Sequence, residues 1–169
     1  MTGYATRLLE PDDWQLWRGI RLRALADAPD SFGSTLARES AFAEEDWREG
    51  LSGGGPRVLV SADGEAVAIG GGFVEQGAIG STTALHVIAM WTDPAWRGRG
   101  LAARVLGALV EWAAPRGLTL VLDVAIGNVA ARNAYEAFGF ISTGRRRPLR
   151  DGSTELVEQM VLSGPLRSG

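Results

Sequence analysis

Residues 93–105 read DPAWRGRGLAARV, with Gly98 and Gly100 each preceded by an arginine where an apolar, strand-like run gives way to a helix. Glycine costs about 1 kcal/mol against alanine inside a helix, so the pair serves the backbone rather than the helix. A helix N-terminus carries unpaired N–H donors and a partial positive charge, and glycines remove the Cβ atoms that would hold an anion away. One reading of Arg97, Gly98, Arg99, Gly100, Leu101 and Ala102 is therefore a pyrophosphate cradle. A tight turn with two solvated arginines is the plainer one. A third is a dinucleotide fingerprint, because residues 98–103 fit G-x-G-x-x-A and Asp123 lies near the end of the next strand, where such a fold keeps its ribose-binding acid. Against that third reading, residues 92–97 separate the strand from the glycines, and an antiparallel pattern precedes them.

Outward from this stretch, residues 4–9 can form a first strand, and Pro11 with Asp12 and Asp13 opens a helix running to about Ala26. Residues 27–34, with Pro29 and Gly33, break it, and residues 43–51 suggest a second, short helix. Short apolar runs follow at 58–61, at 66–74 after the Asp63-Gly64 hairpin signal, and at 84–91, which together predict an antiparallel meander. Leu101, Val105, Leu109 and Trp112 recur at helical spacing as far as Pro115–Gly117, and a strand at 118–124 completes a strand-helix-strand crossover. A helix at 128–138, stopped by Gly139, and strands at 140–143 and 156–162 close the sheet.

Composition narrows the chemistry. The chain has 169 residues, 46% hydrophobic and 22% charged, which fits one α/β domain over residues 1–169 with its own core. There are no cysteines, all 17 basic residues are arginines, and His86 is the sole histidine. Thiolate sites, a cysteine nucleophile, lysine Schiff bases, a P-loop lysine and a multi-histidine metal site are thereby excluded. A formal charge of −3 argues against nucleic acid as a general partner. No apolar run is long enough for a membrane span and no signal-peptide pattern opens the chain, so a cytoplasmic protein without a membrane partner is expected.

Residues 128–140 read NVAARNAYEAFGF, in which Asn128, Ala131, Tyr135, Gly139 and Phe140 fit N-x-x-A-x-x-x-Y-x-x-x-G-F. Together with TDPAWRGRGLA, this resembles the GNAT superfamily of acetyl-CoA-dependent N-acetyltransferases, most strongly over residues 85–140. The family's [QR]-x-x-G-x-[GA] signature for the coenzyme A pyrophosphate is met by Arg97, Gly100 and Ala102. The resemblance implies a mixed, mostly antiparallel central sheet, flanked by helices, whose central parallel strands splay to admit the pantetheine arm. It implies direct attack of a primary amine on acetyl-CoA in a ternary complex, with no metal. The backbone of Trp91 and Thr92 would pair with the pantetheine amides, and Asn128, a natural helix cap, would lie near the same arm. Tyr135, otherwise a packing residue, would protonate the departing thiolate. An acyl-CoA-binding sensor or scaffold without turnover would keep all the donor motifs. Acetyl-CoA and an amine acceptor are the implied partners, and a homodimer is left open.

The base is less defined. Many family members carry a glutamate on the strand at 84–91; none occurs here. His86 stands there instead, expected to share a face with Ile88 and Met90, either as a packed residue or as the base. Glu75, Asp93 and Glu158 are alternatives. Arg145, Arg146 and Arg147 are expected in a solvated loop between the last two strands, and Trp14, Trp17 and Phe32 either pack the core or shape an acceptor pocket.

Overall fold

The computed structural model describes residues 3–164. Its seven strands are β1 (Tyr4–Leu8), β2 (Arg57–Ala62), β3 (Glu65–Ile79), β4 (Thr82–Thr92), β5 (Thr119–Ala125), β6 (Phe140–Pro148) and β7 (Leu156–Leu162). They form one sheet in the order β1-β2-β3-β4-β5-β7-β6. Only β4 and β5 run parallel; every other neighbouring pair is antiparallel. The five helices are α1 (Trp14–Asp27), α2 (Leu36–Ser40), α3 (Glu44–Ser52), α4 (Leu101–Ala113) and α5 (Val129–Phe138).

Each face of the sheet buries its own apolar cluster. On one, Leu101, Val105, Leu106 and Leu109 of α4 are fully buried against Val58, Val60, Leu85 and Leu120, with Tyr135 of α5 and Met160 of β7. Their helical spacing puts one apolar stripe on the sheet, and each such side chain contributes about 1.5–3 kcal/mol on burial. On the other face, Trp17, Ile20, Ala24 and Leu25 of α1 pack with Phe32, Trp47, Leu59, Ile69 and Trp91. Trp17 is thus a core residue, with Trp14 packed against the same cluster. The Asp63-Gly64 hairpin forms as expected: both residues have positive φ (50° and 88°), the geometry of a tight turn between twisted strands.

The parallel pair positions the site. Strands β4 and β5 are in register only from Ala84 opposite Thr119 to Val87 opposite Leu122. Beyond Val87 the two strands part, so among the described residues the outer edge of 88–92 has no strand partner there. A β-bulge coincides with the parting. Ile69 pairs with Trp91 and Gly71 with Ile88, which sets Ala89 and Met90 together opposite Gly70. Ala89 takes φ +60°, a conformation that costs a residue with a Cβ about 1–3 kcal/mol.

The bulge overturns one sequence expectation. Period-two alternation grouped Met90 with His86 and Ile88, but the extra residue reverses the parity of the strand. Met90 packs on the α4 side, against Val105, while Ile88 and Trp91 pack on the α1 side. The basic run is a second correction. Arg145, Arg146 and Arg147 lie in β6, not in a loop, with Arg146 opposite Glu158 and Arg147 opposite Val157. Carboxylates on β7 and β5 neutralise two of the three charges, which lets the strand continue through them. Helix α2, between the expected break at 27–34 and the helix expected at 43–51, where no element was expected, is capped by the Thr35 hydroxyl accepting from the Arg38 N–H.

Gly70 marks how closely these layers meet. A Cβ there would lie 2.5 Å from Met90 Sδ and 2.5 Å from Val105 Cγ1. Gly70→Ala is expected to destabilise the protein by about 1–3 kcal/mol through overpacking, read as a lower urea midpoint with unchanged slope.

Candidate active site

The glycine-arginine stretch forms the turn between β4 and α4. Gly98 and Gly100 both adopt left-handed φ (74° and 76°), and a Cβ at either would meet nothing within 4 Å. The requirement is conformational, and the space above both glycines is open. Gly100 caps α4, and its carbonyl accepts the Arg104 N–H at 3.2 Å. Among the described residues, nothing accepts the N–H groups of residues 99–103. A row of unsatisfied donors at a helix N-terminus, with no side chain in front, is chemically suited to a pyrophosphate. The Leu101 side chain is buried in the core, so only its backbone faces the turn.

The two arginines are held differently. Arg99 is exposed, its guanidinium 4.7 Å above the Trp96 ring. Arg97 folds back, donating from Nε to the Thr92 carbonyl at 3.0 Å and from Nη2 to Asp27 at 2.7 Å. The same Asp27 oxygen accepts from the Trp91 indole at 2.9 Å. Asp27 thereby ties the end of α1 to the end of β4 and to the turn. Asn128 caps α5 by accepting from the Ala131 N–H at 3.2 Å, and its Nδ2 donates to the Ser31 hydroxyl at 3.3 Å.

A cavity of about 410 Å³ opens where β4 and β5 part. Its wall includes Val87, Ile88, Ala89 and Met90 across the bulge, Leu122 and Asp123 of β5, and Tyr135 of α5. It thus brings together Tyr135 and His86, the two side chains the sequence singled out for proton transfer. Phe32 also lines it, whereas Trp14 and Trp17 do not. Tyr135 packs edge-on to Phe140 with ring centroids 5.9 Å apart. Among the described residues no group hydrogen-bonds its hydroxyl, and burial alone pushes its pKa up to about 12. The hydroxyl therefore stays protonated and is free to donate.

His86 is buried and stacked on Phe73, with centroids 5.0 Å apart and planes 9° from parallel. Carboxylates bracket the ring: Nδ1 is 2.7 Å from Glu75 and Nε2 is 3.5 Å from Asp123. Burial would lower the His86 pKa, but the hydrogen bonds to Asp123 and Glu75 outweigh it and hold it above the usual value. Asp123 also accepts from Arg147 Nε at 3.0 Å. Burial works to raise the Asp123 pKa, and its bonds to His86 and Arg147 override that and lower it. Asp123 is thus engaged with His86 and Arg147 in a mixed sheet, which leaves no dinucleotide geometry. Of the other acids considered, Asp93 caps the short turn at residue 95 and pairs with Arg23, while Glu158 is held by Arg132 and Arg146.

Sequence reasoning missed a second charged group. Arg21 of α1 donates to buried Glu39 of α2 through two bonds of 2.9 and 2.8 Å, and both residues line the cavity. Arg57 lies near this pair; burial, reinforced by the charge of Arg21, lowers its pKa to about 10, which still leaves it protonated at neutral pH. The sequence signal for the pair is weak, since the partners sit 18 residues apart across a chain break in periodicity.

The acetyltransferase (GNAT) family model matches residues 21–140. The chain belongs to that family. It is similar to the [ribosomal protein bS18]-alanine N-acetyltransferase of Haemophilus ducreyi, 36% identical over 74 residues, which cover 41% of this chain and 51% of that protein. It is also 40% identical over 63 residues to the N-alpha-acetyltransferase RimI of Mycobacterium tuberculosis, covering 37% of each. The matched stretches thus span about half of the first relative and little more than a third of the second. In fold it is similar to a GNAT-family acetyltransferase from Streptococcus pneumoniae, with a TM-score of 0.77 at 20% identity over 95% of this chain and 100% of that one. Arabidopsis thaliana NAA60, solved with a bisubstrate analogue, superposes with a TM-score of 0.69 at 15% identity over 94% of this chain and 97% of that one.

The bracketed histidine carries a pH dependence. Its folded pKa is raised, so the stabilisation from proton binding is complete below the unfolded value of about 6.5 and is lost as pH rises through the folded value. Chemical denaturation from pH 6 upward is expected to show stability falling across that window, with the decline attributable to His86 absent in His86→Gln.

Proposed function

We propose that this protein is a single-domain N-acetyltransferase, residues 1–169, that moves the acetyl group of acetyl-CoA to a primary amine in a ternary complex. The observation that carries the reading is the convergence of an unpartnered Tyr135 hydroxyl, the strained bulge of β4 and His86 on one cavity, in a fold that also leaves a row of free N–H donors at the start of α4. The N–H groups of residues 99–103, with Gly98 and Gly100 clearing the approach, would hold the pyrophosphate. Arg99 and Arg97 would supply charge, Arg97 by leaving Asp27. The free edge of β4 around Trp91 and Thr92 would pair with the pantetheine amides as another strand would, with Asn128 beside that arm.

In the reaction, the amine nitrogen forms a bond to the acetyl carbon and the carbon–sulfur bond breaks. A backbone N–H released from the ladder at the bulge stabilises the oxyanion, fixed in direction before the substrate arrives. Tyr135 passes its proton to the departing sulfur and regains one from solvent. His86, in its neutral form, accepts the proton lost by the amine and shares it with Glu75 and Asp123. No step calls on a metal. Among the described residues no helix is long and apolar enough to cross a membrane, and the reading places the protein in the cytoplasm. The relatives named for ribosomal-protein alanine and N-alpha acetylation support an amine acceptor.

Tyr135→Phe is expected to lower kcat about 100-fold or more with the acetyl-CoA Kd unchanged, measured by thiol release and calorimetry. A base must be unprotonated, so kcat/KM should rise with pH through the elevated His86 value, and His86→Gln should remove that limb. Wild-type rates in both variants would dismiss these roles. Acetyl-CoA, and not NAD, should raise the melting temperature. In Gly100→Ala, folded but strained, the acetyl-CoA Kd should weaken at least tenfold.

A further inference from the structure

The cavity is electrically divided, and every carboxylate near it among the described residues is already engaged by a protein group. Glu39 is held by Arg21 through two bonds, Asp123 by Arg147 and His86, and Glu75 by His86. The cations are not used up in the same way. Arg38 of α2 lines the cavity, is exposed, and among the described residues its guanidinium has no hydrogen-bond or ion-pair partner. Arg21, 9% exposed, keeps a buried Nη1 with no acceptor, a cost a native structure seldom leaves uncompensated. With Arg21 offset by Glu39, Arg38 is the uncompensated positive charge on the wall made by α1 and α2, while the histidine on β4 is flanked by carboxylates.

We infer that the acceptor is a small amine that also bears a carboxylate, an amino acid being its simplest form, with the carboxylate at Arg38 and Arg21 and the amine toward His86. The inference rests on the acetyltransferase reading and names its substrate class. A guanidinium recognises a carboxylate through two parallel bonds, which also fixes where the neighbouring amine points. A polyamine or an aminoglycoside would need unpaired carboxylates and would meet an unpaired cation instead.

Thiol release from acetyl-CoA, measured with alanine, aspartate and glutamate against their α-amides, spermidine, kanamycin and an alanine-initiated peptide amide, tests the assignment. The free amino acids are expected to show kcat/KM at least tenfold above their amides. In Arg38→Gln that ratio should fall to near one through KM, with the acetyl-CoA Kd retained as proof of folding, and Arg38→Glu should invert it. Equal or better use of spermidine, kanamycin or the peptide amide overturns the inference while leaving the acetyltransferase reading intact. An unchanged ratio in both Arg38 variants overturns it too. Failure to bind acetyl-CoA at all overturns both together.

Discussion

The parallel contact between β4 and β5 lasts four residues on each strand, and almost everything else about the site follows from its ending there. Had the ladder continued past Val87, the backbone of residues 88–92 would be satisfied by β5 and the cavity filled. The bulge at Ala89 and Met90 bends β4 away, at the cost of one left-handed residue, and Tyr135 of α5 lines the cavity that results. A protein that keeps such strain must over-determine it elsewhere. Here Gly70 admits Met90 and Val105 at close range on one side, and Trp91 is held by Asp27 on the other.

The turn that opens α4 was legible in the sequence because its conformation is local. Two glycines, their arginines and the first turn of a helix occupy consecutive positions, and the backbone conformations they require can be inferred one residue at a time. Tyr135 was found through the spacing of a second motif, since nothing in its own neighbours separates an unpartnered hydroxyl from a satisfied one. The meander and the parallel crossover were recoverable for a similar reason, since the hairpin signal and the crossover each lie within a short stretch, whereas the insertion of β7 between β5 and β6 was not.

What the sequence hid is non-local. Alternation in residues 84–91 looks regular, and a bulge shows itself only against the partner strand, at Gly70. The environment of His86 draws Glu75 from β3, Asp123 from β5 and Arg147 from β6, three strands whose register no single window displays. Arg145, Arg146 and Arg147 read as a loop because three adjacent like charges repel; β7 and β5 supply the counter-charges that keep them extended.

Apart from His86, every cationic side chain lining the cavity is a guanidinium, and the whole chain contains no lysine. An arginine remains protonated across the working pH range, even Arg57 at its lowered value, and its delocalised nitrogens make poor nucleophiles. A reactive thioester held here, as the proposed reaction requires, would therefore meet abundant positive charge but no lysine amine to intercept it. Arginine gathers anions around an acylating agent without adding a lysine amine that could become the acylated product.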